Sequence, residues 1–509
     1  MPIRVRQLLI LPLLPMLAGL ACNAPLRALG PAREATAGAV RSTIQALATR
    51  PAAASATLSP ISTDPAPTAT PDFSTPGPEY LYQTRSGDTL PALTARFGVD
   101  PMEIVASQPL SPRGYLPIAL ELRVPNVLED VSPGVAVLPD SEVVYSPAAA
   151  DFDVQAFVHQ AGGFLAGYEE TVQDDTVVSG AAIVQRVADE LSINPRLLLG
   201  MLEYRSGWVF GSPPGAEDNL YPLGLRIPGR TGLYQELLVA GTQLNRGYYG
   251  WRQGTQVETD FDDGFTLRFH PELNAGSAAV MHLLAVLRPR ERWMESLYGP
   301  ASFPAQYAAR FGDPWRRAEG LGPLLPVDLA QPVLELPFGP GERWSLTGGP
   351  HPAWNAGTPR GALDFSPITG GDPCAVSARW VTASAPGTVA RAADNAVALD
   401  LDGDGRESTG WVLVYLHLAE DGLILQAAQA VTGSPLGHPS CEGGRSTGKH
   451  VHLARKYNGE WLEADGPVPL VLSGWQAVAD ERNYFGSLVR GDEVVTSDSS
   501  GRSGSTIMR

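Results

Sequence analysis

The spacing of apolar residues along this chain shifts from one region to the next, and each shift predicts a different architecture. Residues 8–20 form a nearly unbroken apolar run that is too short to span a bilayer comfortably. Residues 24–78 hold no sustained period and are rich in Ala, Pro, Ser and Thr, which predicts a disordered, partly extended tether; a transient helix over 30–49 ends at Pro51. Residues 80–126 read as a short strand, a Gly-Asp-Thr turn, an amphipathic helix over 90–97, a second helix near 101–107 and a closing strand. Helical periods then dominate 150–314, with long stretches over 181–203 and 274–288. After a Pro- and Leu-rich connector over 321–337, short strand signals separated by Gly, Pro and Asp turns predict an all-β domain. Residues beyond 495 read as a disordered tail.

Composition narrows the function. At 509 residues the chain has room for two or three cores, and its formal net charge of −17 argues against nucleic acid and against a basic membrane-binding patch. Arg4 and Arg6 precede the apolar run, as in an export signal. The run ends in LAGLAC, similar to a bacterial lipobox in which Cys22 is lipidated, although Gly19 stands where a Leu is usual; a plain secretory signal and an uncleaved anchor stay open. Setting Cys22 aside leaves two of the three cysteines, Cys374 and Cys441. In an exported domain they can pair as a disulfide, the alternative being two buried thiols.

Chemistry concentrates near the C-terminus, where five of the eight histidines lie after position 350. In SCEGGRSTGKHVHLARKYNGEW, His450 and His452 are two apart in a strand-like setting, so both imidazoles face one side. Upstream, His351 in GGPHPAWNAG precedes Asp364 in PRGALDFSP by thirteen residues, and His417 sits in WVLVYLHLAEDG. Imidazoles with one carboxylate are the ligand types of a catalytic zinc that keeps one position open for water.

These segments, and the region 336–490 around them, resemble the beta-lytic, lysostaphin-type zinc metalloendopeptidases that cut peptidoglycan cross-bridges, and within them the beta-lytic/staphylolysin branch. The resemblance implies His351, Asp364 and His452 as zinc ligands, with His417 and His450 as the catalytic histidines that do not bind metal. His450 is read as general base and His417 as the group that meets the oxyanion, although the sequence leaves open which of the pair is the base. One departure matters: the lysostaphin branch takes its first ligand from H-x-x-x-D, and that position here is Arg360. Relatives that have lost ligands act as scaffolds that activate other wall hydrolases, and this is the alternative function.

Two other stretches carry resemblances. Gly87-Asp88-Thr89-Leu90, Phe97-Gly98-Val99 and Leu122-Arg123-Val124-Pro125 resemble the LysM module, which implies a βααβ fold and peptidoglycan glycan as partner, with Gly87, Asp88 and Thr89 as candidate contacts. The stretch INPRLLLGMLEYRSGW over 193–208 resembles the start of the lysozyme-like fold of lytic transglycosylases, with Arg205 where the catalytic Glu belongs. An arginine stays protonated and is no general acid, and Glu203 lies roughly 200° away around the helix. The helical domain is therefore expected to be non-catalytic, with Tyr248, Tyr249 and Trp251 as candidate groove aromatics. Asp400, Asp402 and Asp404, followed by Gly405, resemble the opening of a calcium loop, though Trp411 stands where an EF-hand has Glu.

The expected domains are a signal over 1–22, a linker over 23–78, a LysM module over 79–127, a helical lysozyme-like domain over 145–320, an all-β peptidase domain over 336–494 and a tail over 495–509.

Overall fold

The structure, a computed structural model, describes residues 78–172, 176–213 and 215–509. The export signal with Cys22 and the linker up to residue 77 lie outside the described residues. Among the described residues no helix is long and apolar enough to cross a membrane.

The N-terminal module begins with β1 (Glu79–Gln83), whose alternation buries Tyr80 and Tyr82. Thr89 caps α1 (Leu90–Phe97) by accepting from the Ala92 N–H at 3.3 Å, and Gly98, left-handed, ends it. Strands β2 (Val105–Ala106) and β3 (Glu121–Pro125) complete a sheet of order β1-β3-β2. The expected second helix is only a 3-10 turn, Pro101–Glu103. Val105 and Ala106 are drawn instead into pairing with Arg123 and Leu122, and Pro109 and Pro112 lack the N–H a longer helix needs.

The three residues expected to meet glycan have other duties. Asp88 is buried; its Oδ1 accepts from Arg96 at 2.8 Å, and its Oδ2 accepts from the Tyr82 hydroxyl at 2.6 Å and the Arg85 N–H at 2.7 Å. Gly87 lies against the Arg252 guanidinium and Leu325, where a Cβ would collide, and Thr89 is the helix cap. The Gly-Asp-Thr turn is thus packed within the module and against the helical segment.

The helical segment is built on α2 (Gly180–Leu191), α3 (Pro195–Ser206), α4 (Leu233–Gln253) and α5 (Ala275–Leu287). Helices α4 and α5 approach closely at Gly247, where a Cβ would stand 2.8 Å from the Ala279 Cα. Glu203 folds back on the end of α3, its Oε2 accepting from the Val209 and Phe210 N–H groups at 3.0 Å each. Arg205 donates to the Leu223 carbonyl at 2.9 Å, and burial, then Arg288, pulls its guanidinium down to about 10. Tyr248, Tyr249 and Trp251 are buried in the core, not arrayed along a groove; the Tyr249 hydroxyl accepts from the Trp461 N–H at 2.9 Å. Long apolar side chains on a helix read alike from sequence whether they face a core or a cleft.

The C-terminal region is β throughout. Its main sheet comprises β4 (Arg343–His351), β5 (Ala362–Pro367), β6 (Gly387–Ala393), β7 (Ala396–Asp400), β8 (Trp411–Leu416), β9 (Gln429–Ala430), β10 (Val451–Tyr457), β11 (Glu460–Trp461) and β12 (Thr506–Met508). All neighbours are antiparallel in the order β9-β6-β7-β8-β10-β5-β4-β12, with β11 beside β10. A four-stranded meander covers residues 471–496. The tail expected to be disordered is ordered where it matters: β12 pairs with β4, placing Ile507 opposite Trp344 and burying it. Three residues of alternation are too few to announce a strand in sequence.

The two faces of this sheet pack against different partners. Val397, Leu399, Leu413, Tyr415, Leu453 and Phe365 fill the region's own core. The alternate residues Ala396, Ala398, Val412, Val414, Leu416 and Ala454 join the core of the helical segment. Ion pairs tie the same interface, among them Arg186 to Asp394 at 3.4 Å and Arg252 to Glu460 at 2.8 Å.

Cys374 and Cys441 are bonded to each other, 67 positions apart in sequence. By constraining the unfolded chain, such a link is worth about 2–4 kcal/mol. The Cys374→Ser/Cys441→Ser chain should lose that much in a denaturant titration; an unchanged midpoint would show that the bond braces nothing.

Candidate metal centre

The metal cluster is assembled by sheet register. His452 on β10 pairs with Asp364 on β5 and with Leu416 on β8, and His351 ends β4 beside β5. Asp364 and His452 therefore project from the face turned toward the helical segment. Gly348 makes this approach feasible, because a Cβ there would run into the Asp364 carboxylate.

The distances are those of converging ligands. His351 Nε2 lies 3.0 Å from His452 Nδ1 and 3.3 Å from Asp364 Oδ1, and His452 Nδ1 lies 3.4 Å from the same oxygen. All three are buried. Each imidazole is oriented by a backbone carbonyl, which can only accept: His351 Nδ1 donates to Gly349 O at 2.8 Å, and His452 Nε2 donates to Ala353 O at 2.8 Å. The opposite nitrogens, His351 Nε2 and His452 Nδ1, are thereby left without protons and point at each other. Two bare nitrogens 3.0 Å apart repel unless something positive lies beside them. Asp364 Oδ1 is buried with no hydrogen-bond partner. Two neutral imidazole nitrogens and one carboxylate oxygen are a zinc donor set with a position to spare, so the residues present fit that metal.

The other two histidines flank this cluster. His417 and His450 have ring centroids 4.4 Å apart, and His450 Nε2 lies 3.8 Å from Asp364 Oδ1. His417 Nδ1 donates to the Glu442 carbonyl at 2.8 Å and His450 Nδ1 to the Gly448 carbonyl at 2.7 Å, so both present Nε2 as a lone pair. Burial, then His450 and His452, pulls His417 down to about 3, which keeps it neutral.

Other residues took different places. Arg360 stands outside the cluster, its guanidinium donating to the Asp480 carbonyl. His438 lies under Trp380, its Nδ1 donating to the Arg379 carbonyl at 2.9 Å. Carboxylate oxygens of Asp400, Asp402 and Asp404 lie within 4.8 Å of one another. Asp400 spends its two oxygens on the N–H groups of Asp402 and Gly405, and Asp404 accepts from Arg406 N and the Thr409 hydroxyl. Burial, then Asp400, pushes Asp402 up to about 6. This is an acidic turn closed on itself. Two neighbours of the cluster carry no metal-site signal in the sequence: Tyr484, whose ring stacks on His351 at 4.2 Å, and Glu442, which orients His417 through its backbone.

Residues 136–326 match the family model described as LasA, N-terminal domain. The chain is similar to Protease LasA of Pseudomonas aeruginosa, 28% identical over 363 residues that cover 66% of this chain and 77% of that protein. It is similar to the beta-lytic metalloendopeptidase of Achromobacter lyticus, 29% identical over 185 residues, covering 33% of this chain and 46% of that one. Among solved structures it is similar to the M23 metalloprotease pseudoalterin, 23% identical, covering 35% of this chain and all of that one, with a TM-score of 0.29. The two sequence relatives support a metalloendopeptidase.

Proposed function

We propose that this chain is an exported, cell-wall-associated zinc metalloendopeptidase that hydrolyses peptide bonds in peptidoglycan cross-bridges or stem peptides. The observation that carries the reading is the convergence of His351 Nε2, His452 Nδ1 and the partnerless Asp364 Oδ1, with His417 and His450 alongside. Zinc, when bound, supplies a Lewis acid for the scissile carbonyl and makes water nucleophilic near neutral pH. His417 and His450, each with Nδ1 spent on a backbone carbonyl, present Nε2 lone pairs beside the cluster, and either is placed to take a proton from water there. Once one of them holds that proton, its N–H is placed to meet the developing oxyanion.

Glycan targeting by the LysM-like module belongs to the same proposal, through surfaces other than Gly87, Asp88 and Thr89. The helical segment covers the sheet face that bears Asp364 and His452, and we read it as limiting access to the cluster. The alternative, an inactive scaffold that activates other wall hydrolases, predicts no metal.

The comparison of His351→Ala with Arg360→Ala separates the two readings. His351→Ala should lose both zinc and cleavage, whereas Arg360→Ala should keep zinc and change turnover by less than about 10-fold, since its contact is to a backbone carbonyl on a neighbouring loop. Zinc lost from Arg360→Ala and kept in His351→Ala would refute the ligand set.

A further inference from the structure

His417 occupies a costly backbone conformation, with φ at +67°, although it is neither Gly nor Asn. Something must over-determine it. Part of the answer is local: the His417 carbonyl accepts from Ser440 N at 2.8 Å and the Ser440 hydroxyl at 3.1 Å. The rest comes from the hairpin between β6 and β7. Ala393 pairs with Ala396, leaving Asp394 and Asn395 as a two-residue turn with φ of +54° and +61°, the pattern of a type I′ turn.

Asn395 is buried, and its amide and backbone hold the residues on both sides of the histidine's hydrogen bonds. Its carbonyl accepts from the Leu418 N–H at 3.0 Å, and its Nδ2 donates back to the Leu418 carbonyl at 3.0 Å, so the residue after His417 is gripped at both ends. The same Nδ2 donates to Glu442 Oε2 at 2.9 Å. Glu442 is the residue whose backbone carbonyl fixes the His417 ring, and its Oε2 also accepts from the Glu420 N–H at 3.1 Å. Gly443 presses on the same side chain, since a Cβ there would stand 2.6 Å from the Asn395 Cβ. Both acceptors of the amide are oxygens, so its orientation is determined.

We propose that Asn395 is the positioning residue for His417, setting its backbone through Leu418 and its ring through Glu442. Among the described residues its hydrogen bonds go to Leu418 and Glu442 and none to His351, Asp364 or His452, so it acts through the histidine. The turn that carries it is also held by the helical segment, through Arg186 on Asp394.

This proposal rests on the peptidase reading, and its test separates the two. Asn395→Gly keeps the left-handed turn and deletes the amide; Asn395→Asp keeps shape and turn preference but replaces the donor with an acceptor facing Glu442 and the Leu418 carbonyl. In the full chain, both should retain zinc at the wild-type ratio, keep KM within about twofold, and lose kcat by about 10²-fold, the cost of misplacing a catalytic group by an ångström. Asn395→Asp/Glu442→Gln, in which the new amide donates to the new carboxylate, should recover much of that loss. The second readout is the Nδ1–H proton resonance of His417, which should shift toward solvent-exchanged values in Asn395→Gly. Unchanged kcat in both single variants, or loss of kcat only with loss of zinc, would overturn the proposal. If the wild-type chain cleaves nothing, the peptidase reading fails, and the resonance still decides whether Asn395 positions His417.

Discussion

A chain carrying Asp364→Ala is expected to bind no stoichiometric zinc and to show no endopeptidase activity, while keeping its fold. Among the described residues this carboxylate is the one that reaches the two bare nitrogens, at 3.3 Å and 3.4 Å, and no other joins that cluster. Removing an outer-shell partner of a metal ligand typically costs about 10–100-fold in affinity, and removing the ligand itself should exceed that. Elemental analysis after exhaustive dialysis checks the metal, and circular dichroism checks the fold. Wild-type zinc retention in Asp364→Ala would mean that the metal, if any, lies elsewhere.

The second large effect is expected at Arg252→Ala, far from the cluster. This arginine on α4 is largely buried and joins all three parts of the chain: Glu460 on β11 at 2.8 Å, Asp140 at 3.0 Å, and the Ser86 carbonyl beside the Gly-Asp-Thr turn. Truncation strands two carboxylates, Glu460 among the most deeply buried, in a low-dielectric interface. Breaking such a pair from one side costs about 3–5 kcal/mol, whereas replacing both charges by apolar groups is often neutral. Denaturant unfolding should therefore show a loss of that size for Arg252→Ala and recovery in Arg252→Met/Glu460→Met. A loss under about 1 kcal/mol would show the bridge to be incidental.

What was legible in the sequence follows from the range of the interactions involved. The His450–His452 spacing and the His351-to-Asp364 interval act within single strands or one hairpin, and period-two alternation carries them directly into geometry. The disulfide required only export and two cysteines. By contrast, the second helix near 101–107 lost to a strand pairing with residues sixteen and eighteen positions away, visible only once β3 was in place. Tyr248, Tyr249 and Trp251 looked like a groove because helical period does not say which neighbour will cover a face; here the neighbour is β11 and α5. Asp88 looked like a surface turn residue and is instead the acceptor for three donors. Asn395 could have been flagged as half of an Asp-Asn turn, yet its partners Leu418 and Glu442 belong to other loops, and nothing local in the sequence joins them.

The central claim is most directly tested on the purified full chain, by zinc per chain together with new amino termini released from peptidoglycan, before and after limited proteolysis in the connector over 321–337. The account predicts one zinc per chain in both states and release of amino termini that rises after the cut, as the helical segment leaves the ligand-bearing face. A chain that binds no zinc, or binds it and releases no amino termini in either state, would contradict it.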